Sequence, residues 1–218
     1  MTPLWIIGSG GHAKVVIDAA RATGRFRIAG LLDDDPARHG ADVLGVAVID
    51  DTSPASIARH GVRHAVIAIG ANAARAAVAA RLGDRVAWES IVHPVSYCAE
   101  SALIGPGSAV MAGAVLQPDC RIGAHVIVNT AASADHDCEI AGFCHLGPGA
   151  RLAGSVRLGE GVFLGVGAGV IPGVTIGAWS VVGAGSTVIR DLPPRVTAVG
   201  SPAAPRDTTG KRGTPGAP

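Results

Sequence analysis

The stretch "VRLGEGVFLGVGAGVIPGVTIGAWSVVGAGSTVIR" (residues 156–190) carries a large aliphatic residue at every sixth position. A period of six fits neither an α-helix, with about 3.6 residues per turn, nor a strand that alternates its two faces. It is typical of a β-helix, in which short strands coil and stack their aliphatic side chains inward. This segment therefore predicts a coil of short parallel strands.

The register of this repeat continues upstream and never slips. Its large position is Val, Ile or Leu everywhere except at Ala134, and these side chains are expected to point inward: Ile104, Val110, Leu116, Ile122, Val128, Ala134, Ile140, Leu146, Leu152, Leu158, Leu164, Val170, Ile176, Val182 and Val188. The position four residues further on is always small and is also expected inward: Ser108, Ala114, Cys120, Val126, Ala132, Cys138, Cys144, Ala150, Val156, Val162, Ala168, Val174, Ser180 and Ser186. The repeat thus predicts one continuous coil with a narrow aliphatic core.

Upstream of the repeat, strand and helix signals alternate. The apolar runs predict strands at 4–8, 26–35 and 64–70, and the segments after the first and third of them predict helices at 11–23 and 72–83. Such alternation indicates an α/β unit with a parallel sheet, in which ligands bind at the carboxyl ends of the strands.

The change of period divides the chain into domains. We predict an α/β domain over residues 1–90, with a small parallel sheet that forms one Rossmann-like half, and a β-helix domain over residues 91–204. Pro193 and Pro194 are expected to end the coil. Residues 205–218 are rich in Gly, Pro and Thr, so we expect a disordered tail there.

Composition excludes several classes of protein. The chain has 218 residues and a formal net charge of +1, without a basic block for nucleic acid or a membrane surface. No apolar run is long enough to span a membrane, and the start "MTPLWIIGSGG" lacks the basic region of a signal peptide. Four cysteines without a CxxC spacing suggest reduced thiols, and hence a cytoplasmic protein.

The stretch "NTAASADHDCEIAGFCHLGPG" (residues 129–149) contains two histidines and two cysteines. The repeat places Cys138 and Cys144 inward, as it does Cys120, which favours a role in the core over one as nucleophile or metal ligand. His136 and His145 fall on outward phases. Inward thiols and outward imidazoles do not converge, so no metal site is predicted.

His136 has a feature that an ordinary solvated histidine lacks. Asp135 and Asp137 flank it, and a carboxylate can raise the basicity of an imidazole and select its tautomer. His136 is therefore a candidate general base.

The loop "GSGGHA" (residues 8–13) fits the dinucleotide pattern G-x-G-x-x-A, with Asp33 about twenty residues further on. Taken alone, this pattern favours an NAD(P) oxidoreductase. The α/β part ends near residue 90, however, which leaves room for one mononucleotide-binding half and not two. Glycines at the start of a helix also allow a diphosphate to approach the backbone, whatever else the ligand carries.

Longer segments resemble the sugar O- and N-acyltransferases of the sialic-acid O-acetyltransferase type, a group of hexapeptide-repeat enzymes. The resemblance covers about residues 4–203. In the coil it is carried by "HPVSYCAESALIGPGSAVMAGAVL" (93–116), "NTAASADHDCEI" (129–140), "HLGPGARLAG" (145–154), "FLGVGAGVIPGVTIG" (163–177) and "VVGAG" (181–185). In the α/β part it is carried by "IIGSGGHAKVVID" (6–18), "LLDDDP" (31–36) and "VIAIGAN" (66–72), which are similar to the nucleotide-sugar domain of that group.

The resemblance implies a left-handed parallel β-helix with three hexads per turn, so that residues 18 apart stack. It also implies a homotrimer with acetyl-CoA between neighbouring coils. One departure is "GSPAAP" (200–205), where Ala204 stands in place of a lysine that is common in such enzymes.

The resemblance further assigns roles to single residues. His136 is implied as the general base, Asp137 as its support, and the Gly154 N–H as a donor to the acyl oxygen. Contacts to acetyl-CoA are implied at His145, Val166 and Ala184, and contacts to the nucleotide sugar at Gly10, Gly11, His12, Asp33, Asp34 and Gly70. Spacings of 18 join residue 136 to 154 and residue 166 to 184, which predicts two columns along the coil.

The expected function is transfer of acetyl from acetyl-CoA to the amino group of a nucleotide-linked amino sugar, such as a 4-amino-4,6-dideoxy sugar used in polysaccharide biosynthesis. The resemblance implies acetyl-CoA as a co-substrate, no permanently bound cofactor and no covalent enzyme intermediate. Two alternatives remain open: O-acetylation of a sialic acid or another sugar hydroxyl, and a non-catalytic nucleotide-binding or oligomerisation module. The sequence leaves the base, the sugar and the acyl donor undetermined.

Overall fold

A computed structural model describes residues 1–206. Its first part is an α/β domain with a six-stranded sheet in the order β3-β4-β2-β1-β5-β6, parallel except for the pairing of β3 with β4. The elements are β1 (Thr2–Ile7), α1 (Gly11–Ala22), β2 (Phe26–Leu32), β3 (Asp42–Val43), β4 (Val46–Asp50), α2 (Pro54–Arg59), β5 (His64–Ile67), α3 (Asn72–Leu82) and β6 (Ala87–Trp88), with short 3₁₀ turns at Pro36–Arg38 and Gly83–Arg85.

Helix α1 shows why this domain folds as the sequence predicts. Its buried face is formed by Ala13, Val16, Ile17 and Ala20, which recur at the three- and four-residue spacing of a helix. Gly24 follows the helix with a φ of 65°, a left-handed conformation that glycine adopts without strain. Helix α2 begins instead with a side-chain cap, in which Ser53 Oγ accepts the Ser56 N–H.

The second part is a β-helix whose short strands stack with a constant offset. Val110 pairs with Val128, and Ala134 pairs with Leu152. The strands are β7 (Ile91–Val92), β8 (Tyr97–Cys98), β9 (Leu103–Ile104), β10 (Ala109–Val110), β11 (Val115–Leu116), β12 (Arg121–Ile122), β13 (Ile127–Val128), β14 (Ser133–Ala134), β15 (Glu139–Ile140), β16 (His145–Leu146), β17 (Arg151–Leu152), β18 (Arg157–Leu158), β19 (Phe163–Leu164), β20 (Gly169–Val170), β21 (Thr175–Ile176), β22 (Val181–Val182), β23 (Thr187–Val188), β24 (Thr197–Val199) and β25 (Ala204–Pro205).

These strands form the three sides of the coil. The docked sheet contains β7, β10, β13, β16, β19, β22, β24 and β25, the middle sheet β8, β11, β14, β17, β20 and β23, and the open sheet β9, β12, β15, β18 and β21. The chain turns from the docked to the middle sheet at the Val166 corner (129–132, 147–150, 165–168, 183–186). It turns from the middle to the open sheet at the His136 corner (117–120, 135–138, 153–156, 171–174). It returns from the open to the docked sheet at the Phe143 corner (105–108, 123–126, 141–144, 159–162, 177–180). The predicted α/β domain followed by a left-handed parallel β-helix is confirmed.

The interior of the coil is the aliphatic core that the repeat predicts. All the large inward positions from Val110 to Val188 are buried, and Ile104, near the start of the coil, packs against them while partly buried. Cys120, Cys138 and Cys144 are fully buried among them. Their thiols donate to carbonyls of the next coil, as from Cys138 Sγ to Ala153 O at 3.2 Å. The cysteines are core residues, as predicted.

The α/β domain covers one side of the coil. Ile91, Ala109 and Ile127 point outward from the docked sheet and are nonetheless at most 1% exposed. Ile91, Ala109 and Met111 share an apolar cluster with α1 and with strands β1 and β2. The two domains are therefore joined through a common core.

The prediction that the coil ends at Pro193 and Pro194 is wrong, because β24 follows them and pairs in parallel with β22; the last described residues close its far end. Leu192 forms a parallel bridge with Ile176, and β25 pairs antiparallel with β24. The predicted tail lies outside the described residues, apart from Pro205 in β25 and Arg206, whose N–H donates to Thr197 O at 2.7 Å. Within residues 1–206, no helix combines the length and apolar character that a membrane span requires.

Replacing Leu158 by Asp tests the register of the coil. Leu158 is 3% exposed and stacks between Ile140 and Ile176, so the variant would bury an unpaired charge. We expect a loss of roughly 3–5 kcal/mol, measured as a large fall in the melting temperature. Leu158→Met, which conserves volume, is the matched control and should cost less than about 1.5 kcal/mol. An Asp variant that melts within a degree or two of the parent protein would show that Leu158 does not point inward.

Candidate active site

His136 lies at the corner between β14 and β15, with its imidazole exposed to solvent. Its Nδ1 is 2.7 Å from Asp137 Oδ2. A carboxylate accepts hydrogen bonds, so Nδ1 carries the proton and the lone pair of Nε2 is available. Asp137 adopts a φ of 61°, a left-handed corner conformation that Asp tolerates better than most residues. The corner thus holds an imidazole in the tautomer that a general base requires.

The surroundings of His136 make its ring more basic. The hydrogen bond to Asp137 raises the pKa of His136 above the ordinary histidine value, and the charge of Asp135 acts in the same direction. The Asp135 side chain also accepts the backbone N–H of His136 at 2.8 Å. These two carboxylates are the acidic neighbours that the sequence indicates.

Gly154 lies directly beside the ring, one coil further on. A Cβ added to Gly154 would be 2.6 Å from His136 Cε1, so no larger residue fits unless the imidazole moves. The Gly154 N–H donates to no acceptor within residues 1–206. His136 and Gly154 line a cleft of about 420 Å³ together with Pro172 and Gly173. The cleft therefore contains a proton acceptor and an unoccupied backbone donor side by side.

Val166 and Ala184 form a second column at the Val166 corner. Val166 is 59% exposed, and Ala184 is also exposed one coil further on. The middle sheet separates this corner from the His136 corner. Both 18-residue columns are present, but a single chain places them at opposite edges of one sheet.

His145 is in a different environment from the one expected of an outward histidine. It points outward from the docked sheet, but the α/β domain covers it and it is only 8% exposed. Its Nδ1 donates to the Gly70 carbonyl at 3.2 Å, and its Nε2 lies 3.1 Å from Asn129 Nδ2. Burial, with a smaller contribution from Arg75, lowers the pKa of His145 to about 4, so the ring is neutral.

The residues predicted to contact the nucleotide sugar gather at one edge of the α/β sheet. Gly10, Gly11 and His12 start α1 after β1, whereas Asp33 follows β2 and Gly70 follows β5. A Cβ on Gly10 or Gly11 would meet no atom within 4 Å, so the space above the helix start is open. A helix N-terminus with open space above it is suited to an anionic group such as a diphosphate.

The two aspartates after β2 organise this edge. Asp33 Oδ2 accepts the Ser9 N–H at 2.7 Å and the Ser9 hydroxyl at 2.6 Å, which fixes the glycine loop. Asp34 accepts hydrogen bonds from Thr52 and Arg81. Burial opposes ionisation of each carboxyl, but these hydrogen bonds more than offset it and hold the pKa of both below the usual value. Both side chains are therefore ionised and already engaged within the protein.

His12 connects this edge to the coil. Its ring centroid is 6.2 Å from that of His145, and its buried Nε2 has no hydrogen-bond partner within residues 1–206. Burial lowers the pKa of His12 to about 4, with smaller contributions from His145 and Arg75. Among the predicted residues, His145 thus lies with Gly70 and His12 of the nucleotide-sugar set, and it also contacts Asn129 at the Val166 corner. Arg75 and Asn129 also belong to this region but carry no local sequence signal.

Comparison with known proteins finds family models for both domains. The family model of the PglD N-terminal domain matches residues 3–82, and the model of the bacterial transferase hexapeptide (six repeats) matches residues 155–190. No group of three or more potential metal ligands occurs in the described part of the chain.

Solved structures match almost the whole chain. A variant of perosamine N-acetyltransferase from Caulobacter crescentus, in which one histidine is replaced by Asn, was solved with CoA and GDP-perosamine; it is 44% identical, with 95% of this chain and 98% of that chain covered and a TM-score of 0.89. The acetyltransferase domain of PglB from Neisseria gonorrhoeae, solved with acetyl coenzyme A, is 36% identical over 94% of this chain and 98% of that chain, with a TM-score of 0.83. WeeI from Acinetobacter baumannii, 22% identical over 94% of this chain and 100% of that chain with a TM-score of 0.83, shares the fold.

The likeness thus extends over 94–95% of the chain and so over both domains. With a 44% identical relative matched along nearly its full length, the chain belongs to the nucleotide-amino-sugar N-acetyltransferase family, which joins a PglD-type N-terminal domain to a hexapeptide-repeat left-handed β-helix.

Proposed function

We propose that this protein transfers the acetyl group of acetyl-CoA to the amino group of a nucleotide-linked amino sugar, of the 4-amino-4,6-dideoxy type. The observation that carries the proposal is the His136 cleft, where an imidazole hydrogen-bonded to Asp137 lies beside Gly154, whose N–H has no acceptor within residues 1–206. Support comes from the 44% identical perosamine N-acetyltransferase, which was solved with CoA and GDP-perosamine.

The transfer is a direct attack of the amine on the thioester. The neutral amine nitrogen forms a bond to the carbonyl carbon, and Nε2 of His136 takes the proton that the nitrogen gives up. The carbonyl oxygen becomes an oxyanion, to which the Gly154 N–H donates. The C–S bond then breaks, the CoA thiolate leaves and the amide remains on the sugar. Asp137 stabilises the imidazolium that forms between these steps.

A covalent acyl-enzyme on cysteine is not part of this mechanism. Cys120, Cys138 and Cys144 lie inside the coil without solvent exposure. Burial also raises the pKa of Cys144 to about 12, which disfavours the nucleophilic thiolate.

The nucleotide sugar occupies the edge of the α/β sheet. Its diphosphate lies at the start of α1, above Gly10 and Gly11, where the backbone N–H groups and the helix dipole favour negative charge. The α/β domain has one such mononucleotide half, as the sequence indicates, and a second half for a nicotinamide nucleotide is replaced by the coil. This arrangement supports a sugar nucleotide over NAD(P).

A homotrimer completes the active site. The acetyl-CoA column at Val166 and Ala184 and the base at His136 lie at opposite edges of the middle sheet. If three copies turn their middle sheets toward a common axis, the His136 corner of each copy meets the Val166 corner of the next. Acetyl-CoA bound between two copies then reaches His136 of one of them.

Exposed apolar side chains support this arrangement. Within the described part of the coil, five lie on the middle sheet or on the corners that flank it: Val95 (70% exposed), Tyr97 (56%), Val166 (59%), Ile171 (40%) and Ile189 (45%). Two others, Leu103 and Val181, lie on the open and docked sheets. Apolar groups gathered on one side of a protein mark an interaction surface.

Sedimentation analysis tests the trimer. We expect the parent protein to sediment as three chains, and a variant with Tyr97→Asp and Ile171→Asp to dissociate and lose transfer activity, because two charges would be desolvated in each interface. Ile49→Asp is the matched control, since Ile49 is a similarly exposed apolar residue (41%) on the α/β domain. A parent protein that is fully active as a single chain would contradict the shared site.

The decisive experiment for the function is mass spectrometry of products. The protein and acetyl-CoA are incubated with UDP-, GDP- and dTDP-linked 4-amino sugars, with sialic acid and with matched hydroxyl-only nucleotide sugars. We expect one acetyl group on an amino sugar, as an amide that resists hydroxylamine. Acetylation of hydroxyl-only substrates alone would favour an O-acetyltransferase. Tight NADH binding without any transfer would favour an oxidoreductase, and no reaction at all would favour a binding module.

His136→Ala tests the base. We expect kcat to fall roughly 10²–10⁴-fold, the range usual for loss of a general base, with little change in the KM for acetyl-CoA. His64→Ala is the matched control, because His64 Nδ1 contacts Glu89 at 2.7 Å, the same distance as in the His136–Asp137 pair, but on the α/β domain. A His136→Ala enzyme with near-normal kcat would reduce His136 to a residue that positions the acceptor.

The pH profile tests the pairing of His136 with Asp137. The base must be unprotonated, and the pKa of His136 is raised by Asp137, so activity should rise with pH through a midpoint above the ordinary histidine value. Asp137→Asn removes the charge that raises this pKa, so the rising limb should move to lower pH and kcat should fall by less than in His136→Ala. A limb that stays in place in Asp137→Asn belongs to the ammonium group of the substrate.

A further inference from the structure

Arg75 is a buried cation that the proposed mechanism does not use. It lies in the first turns of α3, is 0% exposed and is among the largest fully buried side chains of the protein. Burial lowers the pKa of Arg75 to about 10, so the guanidinium stays charged at neutral pH. Burying a charge is costly unless it is hydrogen-bonded throughout, so its contacts need an explanation.

Arg75 contacts three separate segments, namely residues 69–72 of the α/β domain and two successive turns of the coil. Nη1 donates to the carbonyls of Ile69 at 2.8 Å and Gly70 at 3.3 Å, in the loop after β5. Nη2 donates to Asn72 Oδ1, at the start of α3, at 2.8 Å. All these acceptors are neutral oxygens of the α/β domain, and they tie the Gly70 loop to the start of α3.

The remaining donors of Arg75 reach the coil. Nε donates to His125 O at 2.8 Å, and Nη2 donates to Phe143 O at 2.8 Å and Cys144 O at 3.2 Å. His125 and Phe143 occupy equivalent places in successive coils at the Phe143 corner, and their rings stack at a centroid distance of 5.2 Å. One guanidinium thus spans two coils and the nucleotide-sugar edge of the α/β domain.

The network extends toward the predicted substrate contacts. Gly70 O accepts from both Arg75 Nη1 and His145 Nδ1, and His145 in turn contacts Asn129 at the Val166 corner. The orientation of Gly70, a predicted nucleotide-sugar contact, is therefore set from one side by Arg75 and from the other by the docked sheet.

We propose that Arg75 is a positioning residue for acetyl transfer, which holds the nucleotide-sugar edge of the α/β domain at a fixed place on the coil and thereby sets the reach of the bound amino sugar to the catalytic corner. This inference rests on the proposed function, because it assumes that the sugar nucleotide binds at that edge. Arg75 itself touches neither the reacting atoms nor the cleft around His136. Its effect on the rate comes from geometry, since small errors in the placement of a reacting group cost large factors in rate.

Arg75→Met tests this role, because methionine fills part of the same volume but donates no hydrogen bonds. We expect kcat for the nucleotide amino sugar to fall about 10- to 100-fold. Binding of the nucleoside diphosphate alone, measured by calorimetry, should change less than about threefold, because the glycine loop and α1 are intact. Arg75→Lys keeps the charge and should recover part of the lost kcat.

A matched control distinguishes an effect of Arg75 on catalysis from an effect on stability alone. Val78→Ala removes methyl groups from the buried face of the same helix but removes no hydrogen bond, and it should lower the melting temperature with kcat within about twofold of the parent. Arg75→Met should lie far below this control at a temperature where both are folded. Amide exchange at residues 69–71 and 143–145 should also be faster in Arg75→Met and unchanged in Val78→Ala.

Several outcomes would overturn the proposal. A kcat for Arg75→Met within twofold of Val78→Ala shows that Arg75 serves stability alone. A lost affinity for the nucleoside diphosphate with a normal kcat at saturation shows a binding role instead. If Arg75→Met does not fold, Arg75→Lys decides, since a kcat equal to that of the parent removes the proposal. A parent protein that transfers acetyl to no nucleotide amino sugar refutes the proposed function, whatever the variants do.

Discussion

The aliphatic side chains of each turn of the coil must stack directly on the equivalent side chains of the preceding turn, and the rest of the structure depends on this stacking. Val110 lies over Val128 and Leu158 over Ile176 because the three short strands and three corners of every turn have the same length. The same repeat fixes what lies outside. A residue at one corner is always beside its equivalent in the next turn, which is how His136 comes to lie against Gly154. The arrangement of His136 and Gly154 at their corner is thus a consequence of core packing, because the close-packed interior fixes the length of every turn.

The α/β domain adds what the coil lacks. A coil alone presents the His136 cleft and a column of small residues, but no helix N-terminus for a diphosphate. By burying Ile91, Ala109 and Met111 in a shared core, the domain is fixed on one side of the coil. His12, after β1, and Gly70, after β5, thereby lie beside His145. Three neutral histidines (His12, His125 and His145) and one buried guanidinium lie at this junction. Polar contacts that are completely satisfied, as those of Arg75 are, give such a junction one orientation where apolar contacts alone would allow sliding.

The sequence predicted the parts of the fold that repeat and the parts in which long apolar runs are buried. The hexad register identified the inward positions of the coil from Val110 to Val188, including the thiols, but not outward side chains such as Ile127 that the α/β domain buries. The long strands and helices of the α/β domain were found within a few residues. Strands β3, β4 and β6 and helix α2 were missed, since such short elements carry little periodic signal. The short strands that were found, β1 and β5, contain continuous buried runs. For the site, the pairing of His136 with Asp137 and its contact with Gly154 followed from neighbourhood and spacing. The burial of His145 and the role of Arg75 depend on how two domains dock, and the periodicity of either domain alone contains no such information.

The closed end of the coil has a consequence for solubility. A parallel coil has three free edges at its last turn, each able to pair with another chain and to grow a fibre. Here Leu192 bridges to Ile176, Ala203 N–H donates to Thr187 O at 2.7 Å, and the antiparallel strand β25 covers β24. Pro193, Pro194 and Pro205 have no N–H to offer an incoming strand. The last residues of the coil therefore block the pairing of a further strand, so that the stack of parallel strands ends with its final turn.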